Sequence, residues 1–441
     1  MTAKLAIQGG RPVRTKVFPS WPVHDKSDER AVAAVVRSGQ WWLHGGRCVN
    51  QFEKTFARYH GAAYGIAVPN GTVSLRIALL AAQIGEGDEV IVPPYTFLAT
   101  ATAVVEANAL PVFVDIDPDT YNLDPARIEA AITPRTRAII PVHFGGLPAD
   151  MDRIIRIARR HGLTVIEDAA HAHGAVYKGR KVGAIGHLGS FSFQASKNLT
   201  CGEGGIITTN DPALSDLCRS IHDCGRDPAG LWYGHVRLGN NYRMSELQGA
   251  LLLSQMARLE SQARRREANG RRLDEGLRRI PGIRPLLRGA NTTRHAYHLY
   301  VFRYDPAGFD GLPREAFLRA VQAEGVPCSP GYKLPLYRQE VFLKRRFGPY
   351  TGYRHGRRRL DFARCNCPVT EHACSAEACW LSQNVLLGTQ RDMDDIVAAV
   401  SKVHEHRREL AHDARGDDPA PRARDAARVR NGRLASALKR K

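Results

Sequence analysis

The chain has 441 residues, 43% hydrophobic and 24% charged, enough to bury one large core or two smaller ones. No apolar run reaches the roughly 18 residues of a membrane-spanning helix, so no membrane contact is expected. The net charge of +19, from 63 Lys and Arg against 44 Asp and Glu, is diffuse and arginine-dominated, so nucleic acid is not the expected partner.

The opening "MTAKLAIQGGRPVRTKVFPSWP" lacks the continuous apolar segment of a secretory signal, and a cytoplasmic protein is expected. Residues 28–38 and 49–60 carry helical apolar spacing. From residue 64 short apolar strands alternate with helices: "YGIAVPN", "TVSLRIALLAAQI", "DEVIVPP", "FLATATAVVEAN", "LPVFVDI", "PARIEAAI", "TRAIIPVHF", "MDRIIRIARRHG", "LTVIED", "GSFSFQA" and "GGIITTN". That alternation predicts an α/β fold with a mostly parallel sheet flanked by helices. In such sheets ligands sit at the carboxyl ends of the strands.

A long helical region is predicted at about 244–280, and 295–330 reads as strand–helix–strand, ending in "VPCSPGY". Residues 393–406 read as an amphipathic closing helix. The expected organisation is an N-terminal arm (1–19), a large α/β domain (20–250), a small C-terminal α+β domain (251–408) and a basic, disordered tail (409–441). Nine of the last 29 residues are Lys or Arg and few are large and apolar.

The nine cysteines are scattered and odd in number, which reads as free thiols. Cys365, Cys367, His372, Cys374 and Cys379 lie close in sequence, but the C-x-C and C-x4-C spacings lack paired knuckles, so no metal is expected.

Four features carry chemistry. In "VIEDAAHAHGA" an apolar strand ends on Glu167 and Asp168, a carboxylate position that would serve a ribose, a metal or a protonated ring nitrogen; a helix cap is the plain alternative. In "SFSFQASKNLTCGEGG" a strand delivers Lys197 into a glycine-rich turn, with Ser192 on the same strand. A lysine becomes a nucleophile when burial or a neighbouring cation deprotonates it. In "VPNGTVSLRIALLA" a strand turns through Asn70, Gly71 and Thr72 into a helix, whose free N–H groups suit a phosphate. In "PPYTFLATA" Phe97 stands at the start of the next helix, placed to stack on a planar ring. A phosphate cradle, an aromatic plate, a carboxylate for a ring N–H⁺ and an amine for an aldehyde together fit pyridoxal 5′-phosphate (PLP).

In order along the chain stand "NGTVSLRIAL", "VIVPPYTFLATA", "PVFVDIDPDTYNLDP", "PVHFGGLPADMD", "VIEDAAHAHGA", "GSFSFQASKNLTCGEGGIITTND" and "RLGNNYRMSELQGAL". With these motifs the sequence resembles the DegT/StrS family of PLP-dependent sugar and aminocyclitol aminotransferases, of fold type I, over nearly all of 5–405. The resemblance implies that Lys197 bonds the cofactor and moves the proton. It implies that Asp168 pairs with the pyridine nitrogen, that Phe97 stacks on the ring, and that Gly71, Thr72 and Ser192 hold the phosphate. His171 and Gln194 would approach the cofactor's hydroxyl face, and Asn241 would reach the phosphate in the neighbouring subunit, which implies a homodimer with shared sites.

The family aminates keto-sugars, nucleotide-linked or free like scyllo-inosose, with L-glutamate or L-glutamine as donor, in amino-sugar, cell-surface polysaccharide or natural-product biosynthesis. Residues 328–342 and 380–396 are similar to the aminocyclitol branch, whereas the high positive charge suits a nucleotide-linked substrate. Relatives with histidine in place of the lysine are dehydratases, so Lys197 favours transamination. The alternatives are a PLP-dependent dehydratase or epimerase of the same family, and a non-catalytic regulator binding PLP or a polyanion.

Overall fold

In the computed structural model, residues 4–227, 230–350 and 361–416 are described. Helices α1 (Lys26–Ser38) and α2 (Cys48–His60) come first, each stopped by a glycine with positive φ, which releases the chain from helical geometry without a Cβ clash. The main sheet then forms from β1 (Tyr64–Val68), β2 (Glu89–Val92), β3 (Leu110–Phe113), β4 (Thr136–Ile139), β5 (Thr164–Asp168), β8 (Leu188–Ser192) and β9 (Gly205–Thr209). Between β5 and β8 the short strands β6 (Val176–Tyr177) and β7 (Arg180–Lys181) form a hairpin. The order across the main sheet is β1-β9-β8-β5-β4-β2-β3, and β9 alone runs antiparallel to its neighbours.

Helices α3 (Gly71–Ala81), α4 (Ala99–Glu106), α5 (Pro125–Ala131), α6 (Met151–His161) and α7 (Pro212–His222) connect these strands. Both faces of the sheet are covered, as a parallel sheet requires. Ala67, Ile91, Ile139, Val165 and Ile206 enter one apolar core. Their neighbours Ile66, Val90, Ala138, Ile166 and Ile207 enter the other. The period-2 pleat makes that division.

In β8 the same pleat sorts "SFSF". Phe191 buries its ring in the first core, as does Phe193 just beyond the strand end. Ser190 and Ser192 face α3, where Ser190 Oγ lies 2.5 Å from Ser74 Oγ. Burying each phenyl group contributes about 1.5–3 kcal/mol, which holds the strand carrying Lys197 in register.

Helix α8 (Glu246–Leu277) begins with a capping box on Ser245 and Gln248 and packs against α1 and α2 at one end. Its far end enters a third core with the strands β10 (Ile283–Pro285), β12 (Leu299–Tyr304) and β13 (Ala378–Ser382) and the helices α9 (Arg314–Ala323) and α12 (Gln390–Glu405). The intervening strand β11 (Thr292–Arg294) pairs with β6. Two short helices, α10 (Glu340–Leu343) and α11 (Pro368–His372), precede β13.

Two expectations are corrected here. "VPCSPGY" is not a strand of the small sheet; it contributes one bridge, Ser329 to Trp380. The place beside β12 is taken by β13, more than 70 residues later, and Ser329 meets only the outer edge of β13. The chain also stays helical past 409, in α13 (Arg407–Gly416), where Leu410 and Ala411 join the third core. The remainder of the expected tail, 417–441, lies outside the described residues.

The N-terminal segment is anchored on this core. Leu5 is buried in it, and buried Arg14 donates to Asp392 at 2.7 Å and Asp395 at 2.8 Å. All nine cysteines are free. Among the described residues no group of three or more His, Cys, Asp and Glu side chains is placed to hold a metal ion.

Candidate active site

A cavity of about 850 Å³ opens where β1, β5 and β8 end. Among the residues that line it are Gly71, Thr72, Phe97, Asp168, His171, Ser192, Gln194 and Lys197. Eight of the nine expected site residues are therefore together, although they span 127 positions in sequence. The ninth, Asn241, is exposed on the loop before α8 and is not part of that lining; its backbone bridges to Asp223.

The cradle follows from one close approach. Asn70 caps α3 by accepting from the Val73 N–H at 2.9 Å, and its carbonyl accepts from Ser74. The amides of Gly71 and Thr72 are left without an intrahelical acceptor, at the positive end of the helix. A Cβ on Gly71 would sit 2.7 Å from the Ser192 Cβ, and one on Gly205 would sit 2.5 Å from the Asn70 carbonyl oxygen. Glycine at both places lets the turn lie directly on the strand ends.

Glu167 and Asp168 are adjacent but do different things. Glu167 points away from the cavity, 2.9 Å from His143 Nε2, and accepts from the amides of Gly183, Ile185 and Gly186. Burial pushes its pKa up, but these hydrogen bonds win and hold it below the usual value. Asp168 faces the cavity, where Thr100 Oγ1 donates to its Oδ2 at 2.7 Å and the Ala170 N–H to its Oδ1 at 3.2 Å. Burial raises the Asp168 pKa despite these bonds and the Lys197 charge. Thr100 is itself aligned by Thr96, 2.9 Å away.

Lys197 stands five residues beyond β8, after a single turn in which its backbone N–H donates to the Gln194 carbonyl at 2.8 Å. Burial lowers its amine to about 8, against the opposing attraction of Asp168. A buried amine with that affinity is a usable nucleophile near neutral pH. Gln194 turns its Oε1 back to accept from the Ser196 N–H and Oγ. His171 lies against His298, ring centroids 4.3 Å apart, and its Nδ1 is buried without a partner. Burial first, then the nearby Lys197 charge, keeps His171 neutral. Phe97 lies two residues before α4, 60% exposed and lining the cavity.

Reading the sequence missed Thr100 on the floor, which donates to Asp168, and the far wall. Trp21, Thr100, His298, Tyr332, Trp380 and Gln383 also line the cavity. Tyr332 and Trp380 meet edge to face at 4.8 Å. Both fall in the two stretches, 328–342 and 380–396, singled out for substrate choice, so that signal was present. Trp21 gave none; its Nε1 donates to the Ala195 carbonyl at 2.8 Å, a contact across 174 residues.

The family description "DegT/DnrJ/EryC1/StrS aminotransferase" matches residues 22–401. The L-glutamine:2-deoxy-scyllo-inosose aminotransferase of Streptoalloteichus tenebrarius is 40% identical over 431 residues, covering 93% of this chain and 100% of that protein. The crystal structure of 3-amino-5-hydroxybenzoic acid synthase matches with a TM-score of 0.80 and 35% identity, over 89% of this chain and 100% of the other. NtdA from Bacillus subtilis, solved with bound cofactor PMP, matches at TM-score 0.75 and 26% identity, over 90% of this chain and 87% of that one. The chain belongs to the DegT/DnrJ/EryC1/StrS aminotransferase family.

Proposed function

We propose that the chain is a PLP-dependent aminotransferase that moves the amino group of L-glutamine onto the ketone of a free keto-cyclitol of the scyllo-inosose type. The observation that carries this reading is the cavity's charge. Among its described lining residues Lys197 is the only lysine or arginine, beside the acidic Glu106, Asp168 and Glu203. A nucleotide-linked sugar brings a diphosphate and calls for several cations; a neutral ring of hydroxyl groups does not. The relative from Streptoalloteichus tenebrarius, named for L-glutamine and an inosose, supports the same choice. The dehydratase alternative is disfavoured by the presence of Lys197.

The residues present fit PLP. The Gly71–Thr72 amides with Ser192 suit its phosphate, Phe97 suits its ring face, and His171, whose Nδ1 has no partner in the protein, lines the side that a ring hydroxyl would enter. Bound there, PLP supplies an electron sink for the carbon that loses or gains the amino group. Asp168, fixed by Thr100 and Ala170, holds a proton at the pyridine nitrogen. Lys197 would hold the cofactor through its aldehyde, and its amine would move a proton at the carbon that loses or gains the amino group. Gln194 lines the hydroxyl side. Trp380 and Tyr332 cover the cavity and exclude water from the reacting carbon.

The reading includes a homodimer in which Asn241 reaches the partner's phosphate site. It is supported by the exposed Leu231, Trp232, Tyr233, Val236 and Leu238 on the same loop, Leu238 at 92%; so much clustered apolar surface marks a covered face. The test is a panel of free and nucleotide-linked keto-sugars added to protein loaded with pyridoxamine phosphate. Loss of the pyridoxamine form with free inososes is expected. Reaction with nucleotide-linked ketones alone overturns the substrate assignment.

A further inference from the structure

Among the described residues Arg266 is the largest fully buried side chain, 0% exposed on α8. Among the described residues no carboxylate lies within ion-pair distance of it. Its Nε and Nη2 donate to the Gln383 Oε1 at 3.0 and 2.5 Å, and Nη2 lies 3.5 Å from the Gln262 Oε1. Its Nη1 is buried with no hydrogen-bond partner, and its guanidinium sits 5.2 Å from the Trp21 ring centroid. Burial alone pulls its pKa down to about 9. A buried cation without a counter-anion is costly, so its retention calls for an anion from elsewhere.

Gln383 and Trp21 both line the cavity, and Arg266 stands directly behind them. Guanidinium has donors only, so the Gln383 oxygen must face Arg266. The amide N–H₂ is thereby turned to the cavity side, polarised by the positive charge behind it. Of the two proposed reactants, the keto-cyclitol is neutral and the amino donor carries an α-carboxylate. Among the described residues of this subunit no lysine or arginine besides Lys197 lines the cavity to receive it, and Lys197 is committed to the chemistry.

We infer that Gln383 receives the α-carboxylate of the amino donor and that Arg266 is the positioning residue that orients and charges it. This rests on the aminotransferase reading above, and the experiment separates the two. Binding of glutaramate, which is L-glutamine without its amino group, is measured calorimetrically on purified holoenzyme against the uncharged glutaramide. Wild-type protein is expected to prefer glutaramate by at least about tenfold. Arg266→Met and Gln383→Leu should each erase the preference and leave glutaramide binding unchanged, the double variant being no worse than either. Gln383→Glu, which keeps an acceptor for Arg266 but turns a carboxylate to the cavity, should also abolish it and serves if Arg266→Met does not fold.

In steady state these variants should raise the KM for L-glutamine about tenfold or more while kcat and the KM for the keto acceptor move less than about threefold. A preference that survives Gln383→Leu, or an equal rise in acceptor KM, overturns the inference. The binding arm needs no turnover, so a wild-type protein that prefers glutaramate but does not transaminate breaks the functional reading and leaves the carboxylate site standing.

Discussion

The floor and the far wall of one cavity are built by opposite means. The floor comes from strand ends and the turns beside them: Asp168 closes β5, Ser192 closes β8, and Gly71 opens the helix after β1. Its groups are polar and held from several sides; Asp168 alone accepts from Thr100 and Ala170. The wall is aromatic and comes from distant segments, with Trp21 from the N-terminal side, Tyr332 from a loop and Trp380 from β13. A sheet fixes geometry to within tenths of an ångström, which proton transfer needs. Loops and edge strands vary at little cost to the core, which suits substrate choice. Floor substitutions should therefore damage the chemistry with any substrate, and wall substitutions should change which ketone is used.

The largest test of that division is Lys197→Ala. Turnover of L-glutamine and inosose should fall at least about 10³-fold, because the amine and its proton transfers are lost; covalent retention of PLP, read as absorbance near about 420 nm, should vanish too. Retained turnover would mean that the floor is not where the chemistry occurs.

Next in size is a pH dependence. Lys197 attacks only as the neutral amine, and burial lowers its pKa from 10.5 to about 8. A lowered lysine pKa means that the neutral form dominates above about 8 and disappears below it. The rate at which apoprotein captures PLP covalently should rise about fiftyfold between about pH 6 and 8, then gain only about twofold more. Stopped-flow absorbance measures this, and a rate still rising tenfold per unit at about pH 9 would show an ordinary, solvated lysine.

Thr100→Val removes one charged hydrogen bond from Asp168 and keeps the shape. A loss of about 1.5 kcal/mol, or roughly tenfold in kcat with both substrates, is expected. A change confined to acceptor KM would move Thr100 from floor to wall. The smallest effect belongs to the wall. Trp380→Leu should raise acceptor KM about fivefold, the worth of one aromatic face, while the L-glutamine half-reaction stays within about twofold. An equal loss in both half-reactions would erase the distinction between the regions.

The floor was largely legible in the sequence, and the wall was not. Strand alternation in 64–92 and 164–209, the NGT turn and the lysine before a glycine-rich loop are local patterns, and local patterns survive in a linear text. Asp168 could not be separated from Glu167 on that basis, since both are carboxylates at one strand end. The pleat and the neighbours settled it: Glu167 found His143 and three amides on the closed side, and Asp168 was left facing the cavity. The strand expected at "VPCSPGY" failed for a related reason, since the place beside β12 goes to β13, which arrives from far along the chain.

By itself, then, the sequence determined the class of sheet, the lysine beyond β8, the strand–NGT–helix turn and the family, because each depends on residue types at short, fixed spacing. Only the tertiary structure showed Asp168 facing the cavity and Glu167 the closed side, which segments wall the cavity, and that a buried Arg266 stands behind Gln383, 117 residues away. Those depend on contacts between segments whose separation along the chain carries no periodic signal, and packing alone brings them together.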